Sequence, residues 1–167
     1  MAIITLNNNS LLDVTELPSG ISGQNYPAFK VSLNAEQQIS DSVVTTVAFD
    51  TTVFDTDSAF DTTTNYNFTV PSGKAGKYLF TVTVQCDDDV ETWQRAIIYI
   101  TTGGVNFSIS DINQDHTQNI TFTGSHIFDL SDGATVTAKV DLRTSFGSTP
   151  DLPAGNRSTF SGFRIGD

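Results

Sequence analysis

At 167 residues the chain has the length of one ordinary domain, enough to bury a full core without disulfide or metal staples. Its 8 Lys and Arg stand against 19 Asp and Glu, and a net charge of −11 excludes a partner held through phosphate neutralisation, so no nucleic acid is expected. A single cysteine, Cys86, excludes an intrachain disulfide, and no apolar run is long enough to span a bilayer, so no membrane insertion is expected either.

In chain order, the first 26 residues, MAIITLNNNSLLDVTELPSGISGQNY, carry Ile3, Ile4, Leu6, Leu11, Leu12, Val14, Leu17 and Ile21. They are too apolar for a solvated tail and too interrupted by Asn, Pro and Gly for one long helix. A cationic region, a long apolar core and a cleavage site are all missing, so the start does not read as an export signal. The segment 1–26 reads as an arm that buries its side chains on another surface and orders on docking. Its anchors are Leu11, Leu12 and Leu17, the bulkiest apolar groups around Asp13 and Glu16. The competing reading folds the arm back onto its own head, or onto a neighbouring head.

Residues 27–167 read as a head built of strands, because Thr, Val, Phe, Ile and Asp dominate and apolar residues almost never recur at helical spacing. AFKVSLN, VVTTVAF and YNFTVP come first. In KYLFTVTVQC, Tyr78, Phe80, Val82, Val84 and Cys86 share one face, and Leu79 interrupts an otherwise polar opposite face. RAIIYIT is apolar on both sides, Ala96, Ile98 and Ile100 on one and Ile97 and Tyr99 on the other, so it predicts a strand buried on both faces at a subunit contact. VNFSIS, NITFTG and HIFDL follow. GATVTAKVDLR then sets Val136, Ala138, Val140 and Leu142 on a core face and Thr135, Thr137, Lys139, Asp141 and Arg143 on a wet one. The last strand is STFSGFRI. With turns at PSGKAG, TTGG, SDG and STPDLPAGN, about ten short strands imply an all-β sandwich or jelly roll.

The side chains that could carry chemistry are few. His116 and His126 have no Cys, Glu or Asp around them in a zinc or nucleophile pattern, and read as structural or surface residues. No nucleophile elbow and no phosphate loop is present, so neither an enzyme nor a cofactor is expected. Asp87, Asp88, Asp89 and Glu91 are the one cluster whose hard oxygens suit calcium. Adjacent carboxylates on extended backbone point alternately apart, however, and the convergent calcium loop is absent, so the run reads as a solvated strand end and no metal is expected. Trp93 beside it reads as a packed strand-start residue.

The stretch FDTTVFDTDSAFDTTTNYNFTVPSGKAGKYLFTVTV, together with the closing FSGFRI, resembles the globular head of complement component one, subcomponent q, and the tumour necrosis factor-like trimers. Phe49, Asp55, Phe60, Phe68, Gly76, Tyr78 and Phe80 match the family's spaced signature in order, and Phe160, Gly162 and Phe163 match its closing strand. Two gaps are longer than the family pattern, Phe60 to Phe68 and Phe68 to Gly76, and Val82 replaces an aromatic. The resemblance implies a ten-stranded jelly roll whose last strand lies in the middle of a sheet. It also implies a homotrimer, with the signature aromatics in the core or at a subunit contact alongside Ile97 and Tyr99. The Asn-rich start followed by Leu-Pro-Ser-Gly resembles the amino termini of small virion proteins of tailed phages. The expectation is therefore a non-enzymatic virion protein, a decoration, cement or fibre, docked by its arm on a capsid or tail protein. The alternative is an adhesin tip that grips a host-surface glycan or protein, and a secreted ligand-like module fits less well without an export signal.

Overall fold

The computed structural model describes residues 27–86, 93–113, 119–144 and 149–166. They form twelve strands and no helix: β1 (Ala28–Ser32), β2 (Gln37–Gln38), β3 (Thr45–Thr46), β4 (Thr51–Asp55), β5 (Asn67–Thr69), β6 (Gly76–Cys86), β7 (Trp93–Thr102), β8 (Val105–Ile112), β9 (Ile120–Leu130), β10 (Thr135–Thr144), β11 (Asp151–Leu152) and β12 (Thr159–Gly166). Ten of them make two antiparallel sheets. The first runs β4-β1-β12-β6-β9; the second runs β3-β10-β7-β8, with β5 also paired to β10; β11 and β2 form a separate ribbon. The closing strand is thus the middle one of its sheet, flanked by β1 and β6.

Period-two alternation accounts for the core. On β6, Tyr78, Phe80, Val82, Val84 and Cys86 are fully buried, and they face Ala96, Ile98 and Ile100 of β7 and Val136, Ala138, Val140 and Leu142 of β10 across the sandwich. At its centre Phe29 stacks on Phe68 at 4.9 Å and meets Phe60 and Phe160, each at 5.1 Å between centroids. Each such ring pair adds about 0.5–1.5 kcal/mol beyond the area it buries.

Two elements differ from the sequence expectation. VVTTVAF yields only the two-residue β3, because the chain crosses there from the second sheet to the first. Val47 and Phe49 drop into the core from the crossing segment, and the next strand is TTVFD instead. NITFTG and HIFDL form one unbroken strand, β9. The glycine between them is not a breaker: a Cβ on Gly124 would collide with the Ile109 carbonyl of β8, so this residue lets the two sheets close on each other.

Register defines the two ends of the sandwich. Ala28 pairs with Phe163 and Gly76 with Leu130 near the end where the described chain begins, while Cys86, Ile112 and Thr144 lie at the other end.

Candidate interaction surface

The first sheet covers the core with one side and presents the other to solvent. On that outward side, one row in register is Ala28, Phe163, Leu79 and Ile127. The next row is Phe54, Lys30, Ser161, Thr81 and Ser125, and the third is Ser32, Thr159, Thr83 and Thr123. Phe163 is 48% exposed, Ile127 51% and Phe54 48%, with exposed Ile165 beyond Phe163 on β12. The face therefore grades from apolar at the chain-entry end to hydroxyl-rich at the other. The hydroxyls are paired across strands: Thr81 Oγ1 lies 2.8 Å from Ser125 Oγ, and Thr83 Oγ1 3.0 Å from Thr123 Oγ1.

Charge is nearly absent from this face. Of the described strand residues that point outward here, Asp129 alone is acidic, and it sits at the rim in register with Lys77. The chain carries 19 acids, so a sheet face this clear of them, with large apolar groups left open, has the composition of a contact rather than of a wet surface.

The closing motif shows how the face is built. Phe160 and Phe163 are three apart on a strand and so point to opposite sides. Phe160 is fully buried; Phe163, expected in the core or at a subunit contact, lies outside the core. Gly162 faces inward beneath two rings, and a Cβ there would stand 2.5 Å from Phe80 Cδ1 and 2.8 Å from Phe29 Cε1. Its missing side chain lets those rings lie against the backbone of β12 and hold the strand at the sheet centre.

The other signature residues have separate roles. Phe49, Phe60, Phe68, Tyr78 and Phe80 are buried together with Phe160. Asp55 instead shapes a turn, accepting from the Phe60 N–H at 2.8 Å and the Asp57 N–H at 3.3 Å. Gly76 packs against the Gly166 carbonyl where a side chain has no room. The Tyr78 hydroxyl donates to the Lys74 carbonyl at 2.6 Å, and burial pushes its pKa up. Burial also pushes the Cys86 thiol well above its usual range, so this cysteine is inert.

The second sheet has a different outward side. Ile97, expected to need a subunit partner, is only 3% exposed in the single chain, and Tyr99 is half-buried. In register, Ile97 lies between Asp141 and Asp111, and Arg95 lies beside Arg143. Arg95 donates to Asp111 from Nε at 2.9 Å and from Nη2 at 2.7 Å, and Arg143 Nη2 reaches Asp141 Oδ2 at 3.5 Å. The hydrogen bond from Arg95 holds the Asp111 carboxyl below its ordinary range. Long charged side chains thus close over Ile97 without a second subunit.

His126 on β9 is exposed; its ring packs on Phe128 at 4.4 Å and Phe107 at 5.6 Å, and its Nδ1 accepts from the Ile127 N–H at 2.9 Å. Among the described residues no group of three or more His, Cys, Asp or Glu could hold a metal ion. Leu11, Leu12, Leu17, Asp87, Asp88, Asp89, Glu91, His116 and the Trp93 side chain lie outside the described residues. Sequence reasoning missed the open face as such. Its signal was Leu79, the apolar residue on the wet side of β6, since strand parity puts Phe163 and Ile127 beside it.

The model of the C1q domain matches residues 28–165. Among solved structures the chain is similar to the globular domain of zebrafish complement 1qA protein, at 18% identity and a TM-score of 0.57, covering 83% of this chain and 97% of that one. It is similar to murine APRIL at 15% identity and a TM-score of 0.54, covering 84% and 100%. A third similar structure is Eiger TNF from S. frugiperda, at 14% identity and a TM-score of 0.54, covering 85% and 94%. At these identities the likeness to solved structures concerns the fold. Comparison with curated proteins found no match.

Proposed function

The chain belongs to the C1q domain family, and from that premise we propose that it is a non-enzymatic virion structural protein of a tailed bacteriophage. In this reading it is a homotrimeric decoration, cement or fibre protein attached through residues 1–26. Domains of this family are typically trimeric protein-binding modules. The observation that carries the self-association is the open outward face of the first sheet, where Phe163, Leu79, Ile127 and Ile165 have one carboxylate beside them, Asp129 at the rim, in a chain of net charge −11. Closing that face against other copies removes apolar area from water at the cost of desolvating one inner charge, Lys30.

The point at which the described chain begins suits docking. The described chain begins at Pro27, whose carbonyl accepts from the Arg164 N–H at 3.0 Å, beside the register pair Ala28 and Phe163. Three arms of a trimer would leave together at the apolar end of the seam. Joint engagement then turns modest individual affinity into firm attachment through effective concentration.

The test is deletion of residues 2–20. A trimer that forms but no longer joins particles is the expected result. A truncated chain that decorates particles at full occupancy ends the docking reading, and loss of the trimer itself assigns the arm to self-association. An adhesin is the second reading, favoured by exposed Val43 and Val44 in a turn away from the chain-entry end. Asp41 Oδ1 accepts from the Thr144 N–H at 2.8 Å, and the Ser42 N–H donates to the Leu142 carbonyl at 2.8 Å, so the turn presents both valines on a fixed backbone. Host-cell binding by arm-deleted trimers, lost on changing Val43 and Val44 to Ser, would favour it.

A further inference from the structure

We propose that the outward face of the second sheet carries a saccharide-binding subsite centred on Asp141. This rests on the adhesin reading above and names its ligand class and residues. On β10, Val140 and Leu142 turn into the core, so Asp141 between them turns outward, in register with Ile97 of β7, which in turn pairs with Asp111 of β8. Its side chain is nevertheless only 7% exposed.

A carboxylate this deep ordinarily has its oxygens hydrogen-bonded. Asp141 Oδ2 has only Arg143 Nη2, at 3.5 Å and so at the outer limit of such a contact, and Oδ1 has no partner among the described residues. The neighbouring pair shows the complete contact: Asp111 accepts from Arg95 Nε at 2.9 Å and from Nη2 at 2.7 Å. Arg143 is held loosely by comparison and its side chain is 44% exposed, so it can turn toward a ligand without breaking a strong bond.

Charge selects the ligand. Lys139, in register with Tyr99, joins Arg95 and Arg143, so cations and carboxylates are interspersed over the face. A cationic ligand would meet three like charges, and an anionic one would be repelled by the very oxygen that lacks a donor. A neutral ring of hydroxyls meets neither obstacle, because one hydroxyl can donate to Asp141 Oδ1 while others accept from the Arg143 guanidinium.

Tyr99 supplies the apolar part. It lies on the same side of β7 as Ile97 and is half-buried; burial and the Asp141 charge push its pKa up, so its hydroxyl stays a donor. An aromatic ring beside paired donors and acceptors matches the build of a pyranose, with C–H groups on its face and hydroxyls at its rim. Asp141 and Tyr99 are diagonal neighbours across β10 and β7, about 7–8 Å apart by strand geometry, which suits one sugar ring with its hydroxyls. In the trimeric reading the first sheet closes the seam, so this opposite face stays turned to solvent and three weak subsites act together.

The experiment is saturation-transfer NMR on the full chain with neutral oligosaccharides of glucose, galactose, mannose and N-acetylglucosamine. The wild type should transfer magnetisation to at least one of them at millimolar concentration, most strongly to the ring-face protons that lie on Tyr99. Asp141→Asn should weaken this binding roughly tenfold by removing the charged acceptor, and Arg143→Ala and Tyr99→Leu should weaken it as well. An unchanged circular dichroism spectrum checks each fold, and Arg143→Ala, at an exposed position, carries the test if Asp141→Asn does not fold. No transfer to any of the saccharides, or transfer that these variants leave unchanged, would overturn the subsite. So would binding of a tri-arginine peptide in place of the sugars. Host-cell binding by arm-deleted trimers without any saccharide signal would overturn the subsite and leave the adhesin reading standing, whereas saccharide binding without host-cell binding would support the subsite and remove the adhesin reading.

Discussion

The two outward faces of the sandwich have the same backbone plan and opposite fates. Each interleaves apolar residues with polar ones, and each has large side chains pointing away from the core. On the second sheet, Ile97 is hidden because Arg95, Tyr99 and Arg143 are long enough to fold over it and because Asp111 and Asp141 hold the guanidinium groups in place. On the first sheet, Phe163 and Ile127 stay open: Ser161, Thr81, Ser125 and Ala28 are too short to reach across a row, and the longer Lys30 and Lys77 in the flanking rows leave both about half exposed. An apolar residue on a wet face marks an interface when its own chain cannot cover it. The number of apolar residues in the strand is a poorer guide, and by that count β7 would have been chosen.

The largest expected effect separates the two phenylalanines of the closing strand. In a chain held monomeric by Phe163→Asp, adding Phe160→Ala should cost about 3–5 kcal/mol in urea unfolding, through lost burial and a residual cavity. Phe163→Asp alone should abolish the proposed trimer and leave the circular dichroism spectrum unchanged; a spectrum of unfolded chain would place Phe163 in the core after all.

Next in size is the contrast between Ile97 and Ile127. On the same monomeric background, Ile97→Ala should lose about 2–5 kcal/mol and Ile127→Ala less than about 0.5 kcal/mol. Equal losses would mean that the two faces are covered alike. Gly162→Ala follows, at about 1–3 kcal/mol, because its Cβ must displace the rings of Phe80 and Phe29. If this variant melts with the wild type, the close approach of those rings does not constrain the strand.

The smallest effect is electrostatic and sits on the covered face. Arg95 lowers the Asp111 pKa by hydrogen bonding, so the pair stabilises the fold fully above the unfolded carboxylate value of about 3.9, and this contribution is lost as pH falls through the lower folded value. Melting curves from about pH 5 to pH 2 should therefore show a shallower acid slope for Arg95→Ala than for the wild type. Identical slopes would show that screening leaves the pair without effect.

Much of the fold was legible because its cause is local. Alternation in KYLFTVTVQC and GATVTAKVDLR assigns the buried faces of β6 and β10 residue by residue, since a strand turns every second side chain the same way. The same parity, applied to FSGFRI, separates Phe160 from Phe163, so the open face was within reach of the sequence once Leu79 was taken as a member of it. The crossing at Val47 and Phe49 was not legible, since those side chains are buried by tertiary placement and not by a strand pattern. Gly124 misled for a related reason: in sequence a glycine reads as a break, and only the facing Ile109 carbonyl shows that it is an accommodation.

The sequence by itself determined the class of fold and most of the core, because these follow from the period of the backbone and the sorting of apolar groups away from water; the central position of the closing strand came from the family resemblance. Tertiary structure alone decided which apolar face stays open. Whether Ile97 or Phe163 is covered depends on the length and charge of side chains from neighbouring strands. Those neighbours, Arg143 and Asp111 in one case and Ser125 and Ala28 in the other, are far apart in the chain and meet only when the sheets have formed.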